Sequence, residues 1–146
     1  MSTNDLLNDT VQDYTPANKE LRFANLIIDT IGFYAVIFLV SMLLAVIAPE
    51  MFDEEDVSAS LTLNLFVLLI YILYFMLLEG LFNGKTLGKL ITGTRAVKED
   101  GSAITMSDSF KRALSRLVPF EPFSALGDRP WHDKWTDTVV VKEYKS

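Results

Sequence analysis

The chain has no cysteine, so neither a disulfide framework nor a thiolate metal site is open to it. It has one histidine, His132, and no Ser or Cys stands near it in the frame that a nucleophile and base require. With a net charge of -6 it lacks the basic surface that a sequence-independent nucleic-acid binder needs to neutralise phosphates. The N-terminus lacks the basic start and short apolar core of a secretory signal. Met1 to Ala17 is polar and acidic (Asp5, Asp9, Asp13) and reads as a loosely ordered tail. The most telling gap is in the distribution of Lys and Arg. All 13 lie outside the region from Leu26 to Phe82.

That region holds two apolar runs, Leu26 to Ala48 with Asp29 as its only charge and Leu61 to Phe82 with only Glu79. At about 1.5 Å per residue each reaches roughly 33 Å, enough to cross the hydrocarbon core of a bilayer. Between them Pro49 to Ser60 carries five acids (Glu50, Asp53, Glu54, Glu55, Asp56) and no basic residue. Counting Lys and Arg near helix ends therefore places both termini in the cytoplasm and this loop outside. Tyr14 and Phe23 are expected as interface anchors, with Lys19 and Arg22 marking the cytoplasmic edge.

Asp29 and Glu79 are costly, since an acid in mid-membrane costs on the order of 2.5–3.5 kcal/mol and requires a partner, a proton or water. The hairpin is antiparallel, so both fall near its cytoplasmic end. Gly84-Lys85-Thr86 invites a phosphate-loop reading, but the glycine that the motif needs five residues earlier is Glu79, and a membrane helix rather than a strand precedes it. Gly84 is instead expected to end the helix in a left-handed conformation, with Lys85 and Lys89 snorkelling to the interface. Asp100-Gly101 predicts a hairpin with strands near Thr94 to Lys98 and Ala103 to Thr105. Ser107 offers a helix cap. Beyond it Phe110, Ala113, Leu114 and Leu117 form an apolar stripe that Lys111, Arg112 and Arg116 avoid. The segment reads as an amphipathic helix on the inner leaflet, its basic side toward headgroups or toward the hairpin's acids. Leu117 to Leu126, broken by Pro119, Glu121 and Pro122, is too short to span and reads as re-entrant or interfacial. Trp131 and Trp135 suit headgroup depth, and Thr138 to Val141 reads as a strand able to join the hairpin.

These residues resemble the RDD family of small membrane proteins, named for an arginine and two aspartates. Arg22 matches the arginine before the first helix, Asp29 the aspartate within it, and Asp133 the second aspartate. Thr86-Leu87-Gly88-Lys89 matches a Thr-x-Gly-Lys element, followed in order by Asp100-Gly101, Arg112 and Arg116, His132-Asp133 and Thr138 to Val141. The resemblance covers about residues 21 to 141. Relatives carry a longer apolar stretch where this chain has Val118 to Phe123, so no third span is expected here. The family is largely bacterial and archaeal, which implies a cell (inner) membrane. For some members it implies transport of unassigned ligands or sodium/proton exchange.

The expected fold is an all-α membrane protein: a two-span transmembrane hairpin (about 26–48 and 61–82) with a cytoplasmic amphipathic helix and a small β element. A polar tail (1–20) precedes the family-like domain (21–141), and a short tail (142–146) follows it. Two readings of the charges stay open. In one, Asp29, Glu79 and Glu121 bind a monovalent cation or proton, for transport of ions or small solutes. In the other, Arg22, Arg112 and Arg116 pair with them structurally in a membrane-embedded adaptor or assembly factor. Three against three favours pairing. His132-Asp133, with Asp128 and Asp137, makes a catalytic or metal site only in a fold that gathers them. No enzyme activity, cofactor or nucleic-acid partner is expected. The expected partners are the lipid bilayer and, for a transporter, a second copy or a larger membrane protein.

Overall fold

The computed structural model describes residues 15–53, 55–118, 121–124, 127, 129 and 131–143, with the backbone alone at 121 and 122. Two long helices carry the fold, α1 (Lys19–Ile47) and α2 (Val57–Leu81), joined through a 3-10 turn at Pro49–Phe52. Both cover the expected spans up to the last residue, Ala48 and Phe82 being the C-caps, and both begin several residues earlier because polar caps lie upstream of the apolar runs. The Asn18 side chain accepts the Leu21 N–H at 3.0 Å, and Asp56 accepts the Ser58 N–H at 2.8 Å. The apolar side chains of the two helices face outward, with Leu65 66% and Val46 80% exposed. The core helix of a water-soluble protein is covered, whereas helices clothed this way need lipid around them.

The two spans touch each other sparingly. Instead α1 packs on a short helix α3 (Leu87–Thr92), and α2 packs on α4 (Met106–Ser115). The polar elements thus wedge into one end of the hairpin. Between α3 and α4 runs β1 (Thr94–Lys98), paired antiparallel with β2 (Thr138–Lys142), Thr94 opposite Lys142 and Lys98 opposite Thr138. The short helices α5 (Glu121–Ser124) and α6 (Trp131–Trp135) precede β2. Within the described part of 117–126, α5 is the sole helix.

Two local expectations change. The Asp100-Gly101 turn forms, the Gly101 N–H donating to Lys98 at 2.9 Å, but Ala103 makes one isolated bridge to Val97 and Ala103–Thr105 is no strand. The chain leaves the ladder because Thr105, not Ser107, caps α4. Its hydroxyl accepts the Asp108 N–H at 3.2 Å while the Asp108 carboxylate accepts the Thr105 N–H at 2.8 Å, a reciprocal box that Ser107 has no partner to make. β2 becomes the partner of β1, as its β-branched run allows. The second change is at the N-terminus, where Thr15 to Ala17 lies along β2. The Ala17 N–H donates to Val140 and the Lys142 N–H to Thr15, both at 2.9 Å. Thr15 to Ala17 is therefore not part of a loose tail; the rest of that segment, Tyr14 included, lies outside the described residues. Phe23 is half exposed on α1, as an interface anchor would be.

The end of α2 turns through Gly84 at φ 86°, where the Gly84 carbonyl accepts the Ala96 N–H at 2.9 Å. A Cβ there would lie 2.2 Å from the Ala96 oxygen, so the left-handed turn and the close approach both require glycine. This turn folds α3 back beneath α2 and positions the charged groups.

Candidate functional site

Glu79 sits two residues before the end of α2 and is completely buried. An isolated carboxylate there would be prohibitively costly, so its oxygens must be occupied. The Lys89 ammonium meets Oε1 at 2.7 Å, and Arg116 Nη2 meets it at 2.9 Å. Arg112 grips both oxygens, Nε at 2.7 Å from Oε2 and Nη2 at 3.2 Å from Oε1. Such a fork is the strongest form of Arg–carboxylate contact. Nη1 of Arg112 donates to Asp133 and to the hydroxyl of Thr138. One guanidinium thereby joins α2, α4, α6 and β2. Burial works against its charge, but Glu79 and Asp133 outweigh that and raise its pKa above the usual arginine value.

Asp29 is held separately. Its Oδ2 accepts the Thr86 hydroxyl at 2.6 Å and its Oδ1 the Gly88 N–H at 2.7 Å. A side chain at Gly88 would strike the α1 backbone at Asn25, so this glycine lets α3 come close enough to donate. One turn before Asp29, Asn25 receives the Thr92 hydroxyl at 2.6 Å and donates to Thr94 at 3.0 Å. The Thr-x-Gly-Lys element is thus a connector whose Thr86 and Gly88 serve Asp29 on α1 and whose Lys89 serves Glu79 on α2.

The expected pairing is corrected in membership. Lys89 does not snorkel; it is 3% exposed and ion-paired, because the Gly84 turn points α3 back into the hairpin. Lys85 pairs with Glu143 at 2.6 Å. Arg22 does not pair with Asp29; its Nη2 donates to the Gly127 carbonyl at 2.9 Å. Among the described residues the buried balance sets Glu79, Asp29 and Asp133 against Lys89, Arg112 and Arg116. Glu121 lies outside the described side chains. Sequence reasoning missed Asn25 and Thr138, and it missed Arg129, which donates from Nε to the Thr138 carbonyl at 3.1 Å and pairs with Glu99 at 2.6 Å. The spacing of Asn25 and Asp29, four apart on one helix face, was the available signal.

The amphipathic helix is inverted relative to a soluble one. Ser109, Arg112, Ala113 and Arg116 face the hairpin, whereas Phe110 and Leu114 from the apolar stripe are about two-fifths exposed. With lipid as the surrounding solvent, the polar face is the one that needs a protein partner.

His132 is buried beside Arg116, its Nε2 3.3 Å from Nη2. Arginine can only donate, so in this contact His132 Nε2 is the acceptor. Burial, and then the charges of Arg116 and Arg112, hold its pKa well below the ordinary 6.5. A histidine depressed in the folded state contributes stability that is present above 6.5 and lost as pH falls below it, by up to about 1.4 kcal/mol per pH unit. Melting curves from pH 7.5 to 5 are expected to show this loss in the wild type and a flatter profile in His132→Gln, whose amide oxygen can still accept from Arg116. Parallel profiles would remove His132 as the cause. His132 Nε2 also lies 3.5 Å from Asp133 Oδ1, an oxygen that already accepts from Arg112. Asp137 is exposed, and Asp128 lies outside the described residues.

Between α1 and α2, at the end where these charges gather, lies a cavity of about 210 Å³. Arg22, Asp29, Lys89, Arg116 and His132 border its polar floor, and aromatic rings form its walls further along the spans. Phe33 meets Tyr71 edge-on at 5.1 Å, and the Arg116 guanidinium lies 4.5 Å from the centre of the Phe75 ring.

No curated protein and no solved structure matches the chain. The model of the RDD family matches residues 17–138, a stretch that includes both membrane-capable helices, the Thr86–Lys89 connector and the whole charge cluster. The chain belongs to the RDD family.

Proposed function

We propose that the protein takes part in the transport of ions or small solutes, as one subunit of a larger membrane assembly. The cavity carries this reading, because a space of about 210 Å³ between two membrane helices, floored by charged groups, is costly unless something polar uses it. Two spans do not enclose a path across the bilayer, so the protein works with a second copy or with another membrane protein. No catalytic step belongs to this reading. Purified protein in liposomes is expected to move Na⁺, K⁺, Li⁺ or a small carboxylate, read as recovery of a pH-sensitive dye across a proton gradient. Leu26→Trp, which fills the cavity from α1, should abolish that recovery. A stable monomer with no flux of any of these would overturn it. An adaptor held rigid by its charge cluster would then stand, a reading favoured by the full engagement of Glu79 with Lys89, Arg112 and Arg116.

The proposed orientation puts both termini in the cytoplasm of a cell (inner) membrane, since Pro49 to Ser60 has five acids and no Lys or Arg. Ser58→Cys, the sole thiol in such a variant, is expected to react with an impermeant maleimide in intact cells. Reaction only after lysis would reverse the orientation.

A further inference from the structure

We propose that the cavity, on the transport reading above, receives an amphiphilic anion. A phosphate or carboxylate head rests on Arg116, and its apolar chain leaves between α1 and α2. Among the described residues three cationic side chains border the cavity, Arg22, Lys89 and Arg116, and one carboxylate, Asp29. Asp29 has both oxygens occupied by Thr86 and Gly88, and Lys89 is turned to Glu79. Arg116 is different. It is nine-tenths buried, its Nη2 serves Glu79 and His132, and its Nη1 is buried with no hydrogen-bond partner among the described residues. Buried donors nearly always find an acceptor, and an oxyanion in the cavity supplies one.

The surroundings favour the same sign. Burial, Arg116 and Arg112 oppose protonation of His132, so the floor presents a neutral imidazole beside the arginines. Beyond the floor the lining changes character. Phe33 lies about 6 Å further along α1 than Asp29 at 1.5 Å per residue, with Tyr34 and Tyr71 beside it. These rings offer an apolar path for the first carbons of a chain. The volume is smaller than the roughly 300–1,000 Å³ of a pocket that encloses a whole drug-sized ligand. It suits a head group and a few methylenes, with the remaining chain in the bilayer beside the splayed helices. The depth agrees, because Asp29, Glu79 and Arg116 all lie at the end of the hairpin where one leaflet's head groups are found.

The test uses the full chain in nanodiscs of equal phosphatidylglycerol and phosphatidylcholine, released into native mass spectrometry. Retained phosphatidylglycerol is expected to exceed phosphatidylcholine at least ten-fold, with Leu26→Trp returning the ratio to near one at an unchanged lipid-free melting temperature. In detergent, palmitate or phosphatidylglycerol should raise the melting temperature at concentrations where inorganic phosphate does not. Equal retention of the two lipids would overturn the proposal. Stabilisation by inorganic phosphate alone would also overturn it, since the ligand would then be a soluble anion without a chain. Lipid preference without flux in the liposome assay would sink the transport reading and leave this one standing; flux without lipid preference would do the reverse.

Discussion

Arg112→Ala is expected to destabilise the detergent-solubilised protein by about 3–5 kcal/mol, the usual cost of removing one partner from a buried charge pair. In melting temperature this is roughly 10 °C or more for a chain of this length. The size follows from how much rests on one side chain. Arg112 is fully buried, holds both oxygens of Glu79, and reaches Asp133 and Thr138 with its remaining nitrogen. Its loss takes the guanidinium from Asp133, leaves Glu79 with only Lys89 and Arg116, and disconnects α2 from α6 and β2. Arg112→Lys is expected to recover little, because a single ammonium cannot reproduce a fork that satisfies Glu79 and Asp133 together. Lys111→Ala, one position earlier and exposed, should melt like the wild type. A melting temperature for Arg112→Ala within a degree of the wild type would show that the cluster does not hold the helices together.

What could be read in the sequence was what one-dimensional patterns encode. The two apolar runs gave the spans, and the scarcity of charge within them singled out Asp29 and Glu79 as residues in need of partners. The β-branched run at Thr138 gave β2. The unreadable part lies where the chain turns back on itself. Lys89, ten residues after Glu79 and beyond the end of α2, looks like an interfacial lysine until the Gly84 turn is known to fold α3 beneath the helix it follows. The apolar stripe of α4 was legible, and of the two directions left open for its basic side, headgroups or the hairpin's acids, the fold takes the second. An amphipathic helix beside lipid buries the side that a helix in water would expose, and Arg112 and Arg116 go inward. Among the described residues the buried charges include the expected Asp29, Glu79, Arg112 and Arg116 and, beyond them, Lys89 and Asp133; Glu121 lies outside the described side chains. Charge count constrains how many partners a buried group needs, while only the fold decides that Lys89 and Asp133 enter and Arg22 reaches Gly127 instead.

Glu79→Ala should be at least as damaging as Arg112→Ala, and its consequence can be read from the sign of a second substitution. Without Glu79, three buried cations, Lys89, Arg112 and Arg116, crowd a site where Asp133 engages Arg112 alone. In the wild type Lys89→Met removes a favourable partner of Glu79 and is expected to destabilise. In the Glu79→Ala background the same change removes a buried, uncompensated charge and should stabilise, with a coupling of about 1–3 kcal/mol. The pH dependence must follow. Burial lowers the Lys89 pKa from 10.5, Glu79 raises it, and Arg112 and Arg116 lower it again. Deleting Glu79 removes the main opposing influence, so the folded-state pKa falls further below the unfolded one. The unfolded chain then binds more protons than the folded one, and stability of Glu79→Ala rises with pH up to about 10.5. The double variant has no ammonium at position 89 and should lack that rise. If Lys89→Met destabilises both backgrounds equally, Lys89 contributes packing rather than charge, and the ion-pair account of the cluster fails at its lysine.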